Sequence, residues 1–263
     1  EWGVGKVYTD YAEVLADPDL DAVEICTPSR LHAEQTIAAA AAGKHVSVQK
    51  PMALTISDAR RMVDACERAS VVFKVCENYV FYPPLVKARQ LIDEGVIGKV
   101  LNVGMRMVGA AQGGWPIAPA AWQWRLEEAK LAGGPQTFDH GHHMYSTGWY
   151  LGGEFDKVHA WINHIDPVVD SPATIQWNYA GGLAQGSVQF VMCPDLAMPS
   201  PYYSNDEWYE VVGTKGLLWV NRCTSHVRTD LPAVCVYTGG DVEPIDDLDA
   251  DWAEGFNGAL RNF

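Results

Sequence analysis

Three short apolar runs separated by two helix-like stretches occupy the first third of the chain, and that alternation leaves few folds open. Asp21-Ala22-Val23-Glu24-Ile25-Cys26 reads as a strand broken by Thr27-Pro28-Ser29, and an alanine-rich stretch from Leu31 to Ala42 has helix composition and stops at Gly43. His45-Val46-Ser47-Val48 is a second strand, halted at Gln49-Lys50-Pro51; Thr55 or Ser57 then caps a helix reaching about Ala69, and Val71 to Cys76 makes a third strand. Strands that alternate with helices are joined by right-handed crossovers into a parallel sheet. All three strands then end on one side. Thr27/Ser29, Gln49/Lys50 and Glu77/Asn78 should line that edge, which is where open α/β sheets bind ligands.

Pro83-Pro84 marks a boundary, so the chain divides into residues 1–82 and residues 83–263. Beyond it, Leu85, Ala88, Leu91 and Ile92 recur at helical spacing up to Gly95. Strand-like runs follow at 99–108, 155–165, 174–179, 183–192, 208–212 and 217–220, with turn signals at Gly181-Gly182 and Gly213-Thr214-Lys215-Gly216. Their short separations favour antiparallel pairing. The fold class is therefore α/β: a partial Rossmann parallel sheet followed by an α+β domain on a large, mostly antiparallel open sheet. Trp161, Trp177, Trp208 and Trp219 lie in its strands, where they either cover a subunit interface or face a helical layer.

The charge balance narrows the partners. Nineteen Lys and Arg against 33 Asp and Glu give a formal net charge of −14, which repels phosphate backbones and anionic lipid, so neither nucleic acid nor membrane is an expected partner. The six cysteines (26, 66, 76, 193, 223 and 235) form no Cys-x-x-Cys pair, and several fall in apolar runs. That is the pattern of reduced, buried thiols in a cytoplasmic protein.

Chemistry concentrates in two places. Lys50 directly follows a buried strand and precedes a proline, an unusual position for a lysine unless it caps a helix or a carboxylate. In Gln136-Thr137-Phe138-Asp139-His140-Gly141-His142-His143, Asp139 and His143 are four apart and share one face of a helix, where the carboxylate can orient the imidazole. His140 and His142 fall on other faces. A metal-dependent hydrolase or isomerase using Asp139 and His143 is an alternative, as is a non-catalytic binding protein; no third ligand stands at a recognisable metal spacing, so no metal residue is assigned. No Gly-x-Gly-x-x-Gly occurs anywhere in the chain.

Four ordered motifs complete a pattern: Thr27-Pro28-Ser29-x-x-His32; Gly43-Lys44-His45-Val46-x-Val48-Gln49-Lys50-Pro51; Glu77-Asn78-x-x-Phe81-x-Pro83; and Gly133-Gly134-x-x-x-x-Asp139-x-Gly141-x-His143. Together they closely resemble the Gfo/Idh/MocA family of NAD(P)-dependent oxidoreductases over nearly the whole chain. The resemblance implies hydride transfer between the nicotinamide of NAD or NADP and a secondary alcohol of a sugar, cyclitol or related polyol, in a homodimer or homotetramer assembled through the C-terminal sheet. It implies catalytic roles for Lys50, Asp139 and His143. It also implies cofactor contacts from Thr27, Pro28, His32, Gln49, Lys50 and Asn78, and from a weaker Trp124-Arg125 match. Gln49 stands where the family usually has glutamate, and an amide holds a ribose hydroxyl less strongly than a carboxylate does. The family's glycine-rich turn would precede Glu1, so the chain reads as an internal section of a longer enzyme.

Overall fold

The computed structural model describes residues 3–221, 223–225 and 227–263, which form two compact units, one ending at Cys76 and the other beginning at Glu77. The first unit opens with helix α1 (Tyr11–Ala16), whose first turn is capped by the Asp10 carboxylate accepting from the Ala12 amide. Strand β1 (Ala22–Ile25), helix α2 (His32–Ala41), strand β2 (His45–Gln49), helix α3 (Ile56–Ala69) and strand β3 (Phe73–Cys76) follow. The sheet is parallel in the order β1-β2-β3, with Ile25 opposite Val48 and Val48 opposite Val75. Thr55 is the cap of α3, accepting from the Asp58 amide at 3.0 Å. Val23, Ile25, Val46 and Val48 point to the helices, and the small Ala33, Ala39 and Ala40 of α2 let it close on the strands beside Met62 and Cys66 of α3. Each of these valines, fully buried, contributes about 1.5–3 kcal/mol.

The units divide at Cys76/Glu77, six residues before the boundary read at 82/83. Tyr79 and Tyr82, 1% and 0% exposed, belong to the core of the second unit, so the chain has joined that unit before the Pro83-Pro84 pair begins its first helix. Proline at a helix start marks the helix and not the domain.

The second unit comprises α4 (Pro83–Asp93), β4 (Val100–Gln112), α5 (Pro119–Ala132), a π-helix (Pro135–His140), α6 (Gly141–Gly152), strands β5 (Phe155–Ile162), β6 (Ala173–Tyr179), β7 (Gln185–Ala197), β8 (Asn205–Gly213), β9 (Leu217–Val220), β10 (Val234–Tyr237) and β11 (Glu243–Ile245), and α7 (Ala253–Asn262). Its sheet runs β11-β10-β9-β8-β4-β7-β6-β5. All neighbours are antiparallel except β4 and β7, which are parallel from Asn102/Gln185 to Ala110/Cys193. The cause is topological. A helical crossover carries the chain from β4 to β5 in the same direction, and two reversals, β5 to β6 to β7, restore that direction beside β4.

One face of this sheet packs against helices: Met105, Met107, Ile175, Trp177, Val188, Phe190, Tyr209 and Val211 form a core with Leu85, Met144 and Leu151. The four tryptophans divide between the two expected roles. Trp177 is buried under α6, whereas Trp161 is 57% exposed and Trp208 and Trp219 alternate with buried neighbours onto the opposite face. No helix among the described residues is long and apolar enough to cross a membrane.

Candidate active site

In the first unit the predicted residues gather at the C-terminal edge of the parallel sheet. Thr27 follows β1 by two residues, Pro28 starts the single turn Ser29–Leu31, Gln49 ends β2 and Lys50 follows it half-buried. His32 opens α2 and is 1% exposed; its Nδ1 lies 2.9 Å from the Pro51 carbonyl and its Nε2 2.8 Å from the Thr27 carbonyl. One imidazole thus ties the loop after β1 to the loop after β2. It is a brace for Thr27 and Lys50 rather than a ligand-facing group. The Thr27 hydroxyl donates to Gln35 at 2.6 Å, and the Gln49 side-chain oxygen accepts from the Lys50 amide at 3.3 Å.

In the second unit His143 sits on the first turn of α6, 7% exposed. Its Nδ1–H donates to both oxygens of Glu77, at 2.8 and 2.9 Å. Glu77 is itself held by the Tyr79 amide at 2.8 Å, and the Tyr79 ring stacks on the imidazole with centroids 4.2 Å apart. A carboxylate on Nδ1 fixes the tautomer and leaves the lone pair on Nε2.

Glu77 is thus a carboxylate that holds His143, a partner that the four-residue spacing of Asp139 and His143 does not reveal. Asp139 lies within the π-helix, where its own amide reaches back five residues to the Gly134 carbonyl at 3.3 Å. The wider turn breaks the 3.6-residue register on which a shared Asp139/His143 face depends. Asp139 pairs with Arg125 at 3.6 Å, and Arg125 lies over the Trp124 ring at 4.4 Å, so the Trp124-Arg125 element of α5 is tied to the site helix. Of the other histidines, His142 Nδ1 is 2.6 Å from the Phe138 carbonyl and His140 Nε2 is 3.5 Å from Glu207. Asn78 is 1% exposed, and its amide nitrogen finds no acceptor among the described residues.

Two participants escape sequence reading. Asp170, 1% exposed, accepts from the amides of Gln136 and Thr137 at 2.8 and 2.7 Å and anchors the π-helix. Glu207, on β8, is fully buried, and burial pushes its carboxyl up to about 7 against the pull of hydrogen bonds from Thr224 and Tyr79. Glu77 appears within a motif, but nothing local to it announces a partner 66 residues away. Among the described residues no group of three or more His, Cys, Asp or Glu is arranged to hold a metal ion.

The first unit is a parallel sheet with a lysine at its C-terminal edge, and the second holds a histidine against a carboxylate over an open eight-stranded sheet. Residues 1–77 match the model for the oxidoreductase family with an NAD-binding Rossmann fold, and residues 85–219 match that of the GFO/IDH/MocA C-terminal domain. The chain belongs to the Gfo/Idh/MocA family. It is 36% identical to levoglucosan dehydrogenase of Pseudarthrobacter phenanthrenivorans over 160 residues, 60% of this chain and 40% of that one. It is 40% identical to 1,5-anhydro-D-fructose reductase of Ensifer adhaerens over 134 residues, 51% of this chain and 38% of that one. These matches thus span well under half the length of the curated relatives. A solved structure of levoglucosan dehydrogenase in complex with NADH and L-sorbose superposes with a TM-score of 0.76 at 27% identity, over 97% of this chain and 71% of that one.

Proposed function

We propose that the chain carries out hydride transfer between a nicotinamide dinucleotide, NAD or NADP, and a secondary alcohol of a sugar, anhydrosugar or cyclitol. The observation that carries this reading is the Glu77–His143 pair, an imidazole held by a carboxylate and stacked on a buried tyrosine. The residues present fit the nicotinamide end of such a cofactor. In the first unit the Lys50 ammonium and the Gln49 amide are donors at one sheet edge, with the Thr27 hydroxyl oxygen there as an acceptor; in the second, the buried Asn78 amide nitrogen is a donor in want of an acceptor. When bound, the dinucleotide supplies the hydride acceptor or donor.

His143 Nε2 takes the hydroxyl proton as the alcohol is oxidised, and Glu77 stabilises the imidazolium that results. Lys50, by its place in the matched motif, is assigned as the donor that stabilises the charge developing on the alcohol oxygen. Asp139 and Arg125 hold the site helix and α5 together. In the reverse direction the same groups return the proton to the carbonyl oxygen. The anhydrosugars in the names of its relatives favour cyclic polyols as substrates. We further propose that the protein works in the cytoplasm, in keeping with its six free cysteines, and pairs with copies of itself through the outer face of the eight-stranded sheet.

The test is turnover of NAD and NADP with a panel of anhydrosugars and inositols. His143→Asn should lose on the order of a hundredfold in kcat, more than His142→Asn or His140→Asn, and Lys50→Ala a comparable amount with little change in melting temperature. Full activity in His143→Asn would overturn the assignment.

A further inference from the structure

Behind His143 lies a second carboxyl that the reaction written above does not use. Glu207 sits in the middle of β8 on the helix-facing side of the sheet, 0% exposed. Its Oε1 accepts from the Tyr79 hydroxyl at 3.0 Å, and its Oε2 accepts from the Thr224 hydroxyl at 2.8 Å and the Thr224 amide at 3.3 Å. His140 Nε2 lies 3.5 Å from the same Oε1. Tyr79 and His140 are the two rings that flank His143: Tyr79 is stacked on it at 20° between planes, and His140 meets it edge-on with centroids 5.4 Å apart. One buried carboxyl therefore reaches both neighbours of the acid/base imidazole from a rigid central strand.

A charge in the interior is costly, and an amide or hydroxyl could satisfy Thr224 and Tyr79 at far less cost. What an amide could not do is attract a protonated imidazole. Resting on the reading of His143 as the acid/base group, we infer that Glu207 is a positioning residue for His143, acting through Tyr79 and His140. Tyr79 and His140 face it from the chain before α4 and from the π-helix; Cys223, Tyr209 and Asp206 are its other titratable neighbours, and Glu77 acts on the same cluster from the far side of Tyr79. Burial holds the Tyr79 hydroxyl and the Cys223 thiol well above their ordinary ranges, so both stay neutral near pH 7. A Glu207 carboxylate favours the protonated form of an imidazole beside it.

The experiment is an NMR titration of the imidazole Cε1–H signals in the whole chain without cofactor, assigned with His143→Asn and His140→Asn. Glu207→Gln should lower the titration midpoints of His140 and His143 by roughly half a unit or more, because the charge that stabilises each imidazolium is gone. It should also lower kcat about tenfold while KM for the alcohol stays within about twofold. Tyr79→Phe keeps the stacked ring, removes the hydroxyl that bonds Glu207 and also touches Cys223, and should shift His143 in the same direction by less. Asp206→Asn removes the same charge one residue away on the outer face of β8, and should move His143 by less than Glu207→Gln does. A Glu207→Gln protein that melts earlier but keeps its His143 midpoint and kcat would overturn the inference. So would an equal shift in Asp206→Asn. If Glu207→Gln does not fold, an unmoved His143 in Tyr79→Phe overturns it instead. These results are separable from the fate of the base assignment, which depends on turnover of His143→Asn alone.

Discussion

An imidazole that is to act as a base near neutral pH needs a fixed tautomer, a fixed plane and a counter-charge, and on the proposed reading His143 has all three. Glu77 supplies the first and last, and the stacked Tyr79 supplies the plane. Glu77→Gln keeps the shape but offers an amide that holds Nδ1–H less firmly and cannot balance an imidazolium; kcat should fall on the order of a hundredfold with the melting temperature little changed. Steady-state kinetics beside a thermal melt would check this, and an unchanged kcat would remove Glu77 from the reaction. Glu207 makes a different prediction, about stability. Its carboxyl titrates near 7 in the fold against an ordinary value of 4.5, so between those limits the folded state binds more protons than the unfolded one. The folded protein should therefore lose stability as pH rises from about 4.5 to about 7, by roughly 3 kcal/mol at 1.36 kcal/mol per unit, and lose no more from this group above that. Glu207→Gln should flatten that part of a urea-midpoint profile. Lys50 and His143 stand out as candidates in the sequence because each sits in a motif with local punctuation. The partner of His143 does not, because Glu77 meets it only through the packing of separate elements.

At the level of elements, the π-helix separates what the sequence predicts from what the chain does. Reading 136–145 as one α-helix places Asp139 and His143 on a common face, yet the wide turn through 135–140 ends that register at Gly141, where α6 begins. The turn is held from outside. Asp170 caps it through Gln136 and Thr137, with the Thr137 hydroxyl as a further donor, and this side chain fits only because residue 134 has none: a Cβ on Gly134 would lie 1.9 Å from the Asp170 carboxyl carbon. Gly134→Ala must therefore displace a buried carboxylate or the turn itself, at about 2 kcal/mol or more, and should move His140 and His143 with it. The measurable outcome is a lowered melting temperature together with lost turnover. An active, equally stable Gly134→Ala protein would show that Asp170 does not set the turn. Periodicity alone gives no warning of a π turn. The same limit hid α5, whose apolar residues Trp122, Leu126 and Leu131 do not gather on a buried side, and the short strands β10 and β11.

The eight-stranded sheet of the second unit turns one broad face away from its own helices. Strand alternation and register put Trp161, Thr174, Gln189, Arg106 and Trp208 in one row across β5, β6, β7, β4 and β8, and Gln176, Ser187, Gly104, Glu210 and Trp219 in the next. This is where the sequence's ambiguity over its tryptophans resolves by parity: Trp177 points to the helices, and the other three point away from them. The outward tryptophans are prepared rather than loose. Arg106 lies over Trp208 at 6.0 Å, the Trp219 indole donates to Glu210 at 2.7 Å, and His159 packs edge-on against Trp161 at 4.1 Å. Large aromatics held by polar neighbours on a wide, twisted face are what a self-complementary interface uses, and two copies related by a two-fold axis would cover each other's rows. A permanent interface of this kind buries upwards of about 2,000 Å² in total and fails when charges are left inside it. Trp161→Lys combined with Trp208→Lys changes no residue of the helix-packed core, so secondary structure should persist while sedimentation velocity shows a shift from dimer or tetramer to monomer. If the unaltered protein sediments as a monomer at micromolar concentration, this face does not pair copies of the chain. If the double variant remains assembled, the copies meet elsewhere.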